Sequence, residues 1–409
     1  MSKKFLFAAA LTLVVAACSN RPQPAETERL VVIDVENAIG QLEELKLSQL
    51  GTTVRYVPLE TGDSCFVGNN PQVQICGAHI LVTFGQQCLC FDKSTGRFVN
   101  TIGHVGEDPE GYASPNFTYN ESNGLFYFVR EPDQLLKYDA QGRYQGRVQI
   151  PTPPARPTMY AFCDSLIAGY YLNMARSGNH NRALLLFDES GRACDSVASQ
   201  LPALPPATMQ DIEAIHVWKL GLSGILLTRF SDGSVQGNIT SDAIWTCDGG
   251  LRYKEEFSDT VFTLRNNRPE PVYAFHTGRW HFPAEARTQG SVSKDKLLPL
   301  SILETPQRIF FQCARNIYEN NPETLNGIYD KQSGTTRMGK ESAALTDDVN
   351  GFLPFRPLSC STQGEFVSLV WPEDILPWLD EHPEAKNNPA IAPLLQIGEE
   401  DNPVVIIVQ

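Results

Sequence analysis

Positive charge is scarce in this chain. Its 33 Lys and Arg face 47 Asp and Glu, a formal net charge of −14, which excludes the basic footprint that nucleic-acid binding requires. Long hydrophobic runs are missing too. The longest apolar stretch, Phe5–Ala17, is 13 residues, against the roughly 20 needed to span a bilayer. No Cys-x-x-Cys occurs, which removes the commonest zinc and redox spacing. No Gly-x-Ser-x-Gly occurs, which removes the nucleophile elbow of serine hydrolases. Helical periodicity is nearly absent from 54 to 350. What is present is a globular composition, 42% apolar and 20% charged. With 30 Gly and 28 Pro the chain has many turns. Its 409 residues fit two or three domains, or one large all-β or α/β domain.

The N-terminus reads as an address. Lys3 and Lys4 precede the apolar run, the charged and hydrophobic regions of a secretory signal. The run ends in Val15-Ala16-Ala17-Cys18. Small residues directly before a cysteine resemble the bacterial lipobox, in which the cysteine is lipidated and becomes the new N-terminus. We therefore expect a lipoprotein signal peptide at 1–17, lipid attachment at Cys18, and a membrane contact made by lipid alone. Loss of residues 1–17 takes the charge from −14 to −16. Residues 18–29 are polar, carry two prolines, and read as a flexible tether. The remaining nine cysteines (65, 76, 88, 90, 163, 194, 247, 313 and 360) would meet an oxidising compartment. Their odd number leaves at least one free or paired between chains. Cys88-x-Cys90 places both thiols on one strand face as small buried residues.

From 54 to 350 the chain alternates short β-rich runs with turns: Val54–Val57, His79–Phe84, Leu125–Val129, Ser165–Tyr171 and Ile309–Gln312. Helical exceptions are expected at Glu36–Leu50 and in the tail from Pro372, around Trp378 and Ala390–Leu395. A hairpin signature recurs. Phe91-Asp92…Gly96, Tyr138-Asp139…Gly142, Phe187-Asp188…Gly191 and Tyr329-Asp330…Gly334 each pair an aromatic-Asp with a nearby glycine. The Asp caps its own turn and the Gly supplies positive φ. Asp92 to Asp139 is 47 residues and Asp139 to Asp188 is 49. Asp188 to Asp330 is 142, about three more periods, with Cys247-Asp248-Gly-Gly250 as a degraded copy between them. A period near 47 with four strands per unit predicts a β-propeller of six blades, in one domain spanning 30–409. Val404–Val408 is purely apolar and follows the helical tail. A ring must close its edges, so this strand is expected to pair near Val31–Val35 or Val54–Val57.

The chain resembles the six-bladed, NHL-like β-propeller lipoproteins of Bacteroidetes, a family of unassigned function. The resemblance rests on Leu47-Ser-Gln-Leu-Gly with Val54–Thr61, on Phe91–Tyr112, on Phe257–Leu264 with Pro271–Gly278, on Asp347–Pro354, and on Asp401–Val408. It covers nearly the whole chain after Cys18. Two places depart from the pattern: the loop after Gly106 is acidic, and His276 stands where the family has Asp. The resemblance implies an all-β, six-bladed propeller with a short lipid-anchored tether and small C-terminal helical segments. It also implies a bacterial cell-envelope, outer-membrane address. It implies no reaction.

Candidate sites are few. Asp347, Asp348 and Asn350 with Gly351 resemble part of a calcium loop, without its distal Glu. Glu107, Asp108 and Glu110 offer three carboxylates, more simply a solvated loop. Arg279, Trp280 and His281 cluster planar and basic groups suited to sugar rings or peptide chains. Ser165, Ser196 and Thr260 follow Asp and precede Leu or Val, the pattern of Bacteroidetes O-glycosylation acceptors. The expected function is a non-enzymatic ligand- or protein-binding module whose partner is a glycan, a peptide or an envelope protein. No cofactor is implied beyond a divalent cation at the acidic loops. The alternative is a propeller hydrolase or lyase with a metal in the central channel, which needs Asp, Glu or His side chains from several blades to converge.

Overall fold

Short β-branched strands bury an apolar face only against another sheet, and the chain solves this by repetition. The computed structural model describes residues 30–409 except 152–155, 173–180, 203, 205–208 and 340–343. β1 (Val31–Asp34) leads into the short helix α1 (Val35–Ile39), whose first turn is capped by the Asp34 carboxylate accepting from the Asn37 amide at 3.0 Å. β2 (Val54–Pro58) follows. Three antiparallel four-stranded sheets come next: β3 (Gln72–Cys76) to β6 (Phe98–Thr101), with β4 (His79–Phe84) and β5 (Gln87–Asp92) between; β7 (Phe117–Asn120), β8 (Leu125–Arg130), β9 (Gln134–Tyr138) and β10 (Tyr144–Gln149); and β11 (Met159–Cys163), β12 (Leu166–Tyr170), β13 (Arg182–Phe187) and β14 (Ala193–Ala198).

A three-stranded sheet, β15 (Ile212–Leu220), β16 (Ser223–Phe230) and β17 (Val235–Thr240), interrupts the pattern. β18 (Ile244–Cys247), β19 (Gly250–Tyr253), β20 (Thr260–Arg265) and β21 (Arg268–His276) resume it, with β1 added in parallel beside β21. Next come β22 (Leu297–Glu304), β23 (Arg308–Arg315), β24 (Glu323–Asp330) and β25 (Thr335–Met338). The last sheet holds β26 (Ser359–Cys360), β27 (Phe366–Val370) and β28 (Val404–Val408), and its fourth strand is β2. Between β27 and β28 lie α2 (Pro372–Glu381) and two 3-10 segments, Pro383–Asn387 and Pro389–Gln396, so the tail is helical where expected. The N-terminal helix is shorter than expected: α1 ends at Ile39 and only a 3-10 turn, Leu47–Gln49, follows.

Six sheets share cores in cyclic order. Val57 and Ile407 pack with Val73 and Ile80. Leu81 and Cys90 pack with Phe126 and Leu136. Tyr127 and Val148 meet Ile167 and Leu185. Leu184 and Leu186 meet Leu251 and Phe262. Val261 and Phe275 meet Ile309 and Phe311. Phe310 and Ile328 meet Phe366 and Ile406. The three-stranded sheet stands apart and packs Ile225, Leu227 and Ile239 against Leu298, Leu300 and Ala314. It takes up one of the three periods counted between Asp188 and Asp330. The Asp248 turn joins β18 to β19, so it is not a copy of the hairpin that joins the third strand of a sheet to its fourth.

The four Asp-Gly hairpins do join third strands to fourth. In each, Asp Oδ1 accepts two backbone amides: Ser94 and Thr95 on Asp92, Gln141 and Arg143 on Asp139, Ser190 and Arg192 on Asp188, Gln332 and Ser333 on Asp330. The hydroxyls of Ser94 and Thr95 add to this and hold the Asp92 carboxyl down at about 2. Gly96, Gly142 and Gly191 have φ of 72°, 73° and 81°. A Cβ at these positions would overlap the carbonyl of Pro58, Thr101 or Gln149, each at the end of the outer strand of the preceding sheet. The glycine therefore serves both the turn and the sheet-to-sheet register.

β28 pairs with β2, Val54 opposite Val408 and Val57 opposite Val405. The second of the two expected partners is the one used. β1 is spent instead on β21.

Candidate functional site

The Arg279–Trp280–His281 segment forms a 3-10 turn just after β21. Gly278 has φ of 52°, and a Cβ there would collide with the Glu36 carboxylate. Glu36, on α1, accepts the Arg279 amide at 3.1 Å and lies 3.3 Å from His276 Nε2. Lys296 Nζ donates to the Arg279 carbonyl at 3.1 Å. His281 Nδ1 is 3.6 Å from Asp259. The backbone of Arg279 is thus held on both sides, at its amide by Glu36 and at its carbonyl by Lys296. Trp280 packs one side on the core shared by Val261, Phe275 and Ile309, and the Arg279 guanidinium lies 4.1 Å from its ring centroid. The His276 and His281 side chains are 54% and 52% exposed. Among the described residues no protein acceptor takes a hydrogen bond from the Arg279 guanidinium. The result is a fixed aromatic–guanidinium platform, bordered by two histidines and two carboxylates, with donors facing water.

The acidic candidates are occupied by the protein itself. Asp347 accepts from the amides of Val349 and Asn350, both at 2.9 Å, from the Phe352 amide at 3.2 Å and from the Tyr56 hydroxyl at 3.3 Å. Asp348 takes the Ser48 amide and hydroxyl at 2.9 and 2.7 Å, and Asn350 donates to Tyr56. This loop docks the N-terminal turn onto β2. In the loop after β6, Arg130 donates to the carbonyls of Glu107, Asp108 and Gly111, and Asp108 is 2.6 Å from His104 Nε2. Among the described residues no three His, Cys, Asp or Glu side chains gather in a metal-holding arrangement. A cleft of about 340 Å³ runs along Glu60, Arg97, Asp401 and Asn402. Its floor, Asn402, spends its amide on the carbonyls of Glu60 and Cys65 and on the Val67 amide.

Ser165 and Ser196 are exposed, on the β11–β12 turn and on β14. Thr260 is half-buried, and its hydroxyl is bonded to Asp259 at 2.8 Å. Cys18 lies outside the described residues. The nine later cysteines are free thiols. Cys88 and Cys90 share one core with Cys76, and burial pushes the Cys90 thiol up to about 12.

Two buried polar clusters were not legible in the sequence. Glu304, at the end of β22, accepts from Trp245 Nε1 and Tyr273 OH, both at 2.8 Å, and from Lys331 Nζ at 2.7 Å. Arg252 Nε stands 3.9 Å away. One carboxylate thereby ties two sheets together. The second cluster follows β19. Lys254 Nζ donates to the carbonyls of Glu255 and Glu256 at 3.1 and 3.3 Å. Glu255 accepts the Gln200 amide at 2.8 Å and the Ser199 hydroxyl. Arg287 donates to the carbonyls of Ala284 and Pro202. Both oxygens of Glu256 are buried, with no hydrogen-bond partner among the described residues. Burial pushes the Glu256 carboxyl up to about 8 and the Lys254 amine down to about 8. In sequence these three residues are an ordinary charged triplet. No signal marks them, because their partners lie in other sheets and loops.

Sheets of four strands, packed face to face in sequence, define an all-β, propeller-like protein. A family model described as "Domain of unknown function (DUF4934)" matches residues 30–409; the chain belongs to that family. Among solved structures it is similar to a Bacteroides fragilis NCTC 9343 protein described as exported. That protein is 13% identical with a TM-score of 0.63, over 93% of this chain and 99% of that one. The RRP9 WD40 repeats (9% identity, TM-score 0.38, 90% and 99% covered) and the WD40 β-propeller domain of Doa1 (10%, 0.36, 87% and 97%) align more loosely and carry no argument. No curated protein matches the sequence. No helix among the described residues is long and apolar enough to cross a membrane.

Proposed function

We propose that this chain is a six-bladed propeller exported to the bacterial envelope, anchored through Cys18 to the outer membrane, and working as a binding module without catalysis. The cyclic order of the six shared cores supports the blade count, with the three-stranded sheet as an accessory. The lipobox-like Val15–Cys18 and the exported relative support the address. The boundaries 1–17, 18–29 and 30–409 follow from the same features.

The observation that carries the binding role is the Arg279–Trp280 platform. A guanidinium stacked on an indole, with no acceptor among the described residues, offers a flat apolar surface with donors at its rim. That suits a sugar ring carrying an acidic group, or a peptide carboxylate. The test is a thermal-shift screen with acidic and neutral glycan fragments, acidic peptides, divalent cations and EDTA. A ligand of the native state raises the midpoint by mass action. An acidic glycan or peptide should raise it in the wild type, and Arg279→Ala together with Trp280→Ala should abolish the shift. A shift that survives both substitutions places the binding surface elsewhere. One that appears with a cation and vanishes with EDTA replaces this proposal with the metal-dependent alternative.

A further inference from the structure

The three-stranded sheet leaves one long edge open. β15 is nine residues long and, among the described residues, pairs only with β16. Such an edge invites a further strand. Its outward face is also apolar where it should not be. Of the nine exposed large hydrophobic residues among those described, three sit together here: Ile215 at 54%, Val217 at 72% and Leu226 at 39%, with Leu226 directly across from Val217 on β16. The opposite face carries Trp218 and Leu220 into the core, so this face is surplus to folding.

The order of residues along the edge names the occupant. The outward positions read Glu213, Ile215, Val217, Lys219. This row is complementary to itself when read backwards. An antiparallel copy centred on His216 sets Ile215 against Val217 of the second strand and Glu213 against Lys219, twice over by symmetry. That is the isologous contact of a two-fold dimer.

The backbone permits this register. Leu220 and Ser223 flank the two-residue turn at Gly221, whose φ is 61°, so they form a hydrogen-bonded pair. Even-numbered residues of β15 from Ala214 onward therefore spend their amides and carbonyls on β16, and the odd-numbered ones turn theirs to the open edge. The self-pairing register matches odd with odd. A bulge between Ile212 and Ala214 leaves Glu213 at the limit of the ladder, within side-chain reach of Lys219.

We propose that β15 pairs antiparallel with β15 of a second copy of this chain, joining two three-stranded sheets into one of six strands and packing Ile215 of each copy against Val217 of the other. The charges at the ends fix the register and the apolar pair at the centre supplies the burial.

Sedimentation of the full chain in mild detergent tests this, with Glu213→Lys and Lys219→Glu prepared separately. The wild type should show a reversible monomer–dimer equilibrium. Each substitution sets like charges opposite each other twice and should weaken association by about tenfold or more. Mixing the two substituted proteins restores both ion pairs in a heterodimer and should recover wild-type association. Both positions are exposed, and the mixture itself shows that each variant is folded. A wild type that stays monomeric at every concentration would overturn the proposal. So would substituted proteins that associate as the wild type does, or a mixture that fails to re-associate.

Discussion

Replacing Glu256 by Gln should stabilise the protein, and more so as pH rises. Glu256 is 4% exposed, its two oxygens have no hydrogen-bond partner among the described residues, and burial pushes its carboxyl up to about 8. The groups facing it are Lys254, Glu255 and Arg287, with the hydroxyls of Tyr170 and Tyr318. An unfolded glutamate ionises near 4.3. Folding at neutral pH must therefore take up a proton, and each pH unit between the unfolded and folded values costs about 1.4 kcal/mol. The sign follows from a folded value raised above the unfolded one. The contribution is fully present below about pH 4 and is lost progressively up to about pH 8. At pH 7 the loss approaches about 4 kcal/mol, and relaxation around the cluster lowers the expected gain on substitution to about 1–3 kcal/mol. Lys254 is common to both proteins and cancels to first order. Denaturation midpoints measured from pH 5 to 8.5 read the difference directly, at about 1–2 °C per kcal/mol for a chain of this size. The two curves should lie closest at pH 5 and separate towards pH 8. If Glu256 instead forms an ion pair with Lys254, the substitution strands a buried charge and destabilises by about 3–5 kcal/mol. A loss of stability at pH 7, or a gap that does not change with pH, refutes the reasoning.

Glu304→Ala should cost about 3–5 kcal/mol, because Lys331 and Arg252 lose their shared counter-charge in a buried site; Glu304→Gln should cost less, and chemical denaturation separates the two. Gly278→Ala should destabilise by about 1–3 kcal/mol, since positive φ and the Glu36 carboxylate both oppose a Cβ. It should also weaken any ligand that needs the Arg279–Trp280 platform, as titration would show. Ile407→Ala, in a strand buried along its whole length, should cost about 2–4 kcal/mol by leaving a cavity between the first and last sheets. A thermal shift measures it.

Much of the architecture was legible because it is local. The Asp-Gly hairpins announce themselves through residues four or five apart, and the structure places all four at equivalent turns. The closing strand was legible for a different reason. A fully apolar run after a helical tail has to be buried, and an unclosed sheet supplies the place. The spacing of the later units was less legible. Periodicity treated the interval from Asp188 to Asp330 as uniform, whereas the three-stranded sheet inside it packs outside the cyclic order. The Asp248 turn has the right residues in the wrong connection. The acidic loops looked free in sequence because their donors come from afar, Ser48 to Asp348 across 300 positions. The platform residues Arg279, Trp280 and His281 were legible as types. The carboxylate that fixes their backbone, Glu36, was not, because it lies 243 positions away from Arg279.

The pairing of β2 with β28 has a temporal meaning. Val54 is among the first described residues to be made and Val408 among the last, yet they are direct neighbours. Until the final strand arrives, the outer edge of β27 and the edge of β2 both stay open, and the core between the first and last sheets lacks Val405 and Ile407. A chain cut short before Val404 would therefore advertise its own incompleteness through two sticky edges, and would be open to proteases while an intact one is closed. Closure of the ring waits on its last strand.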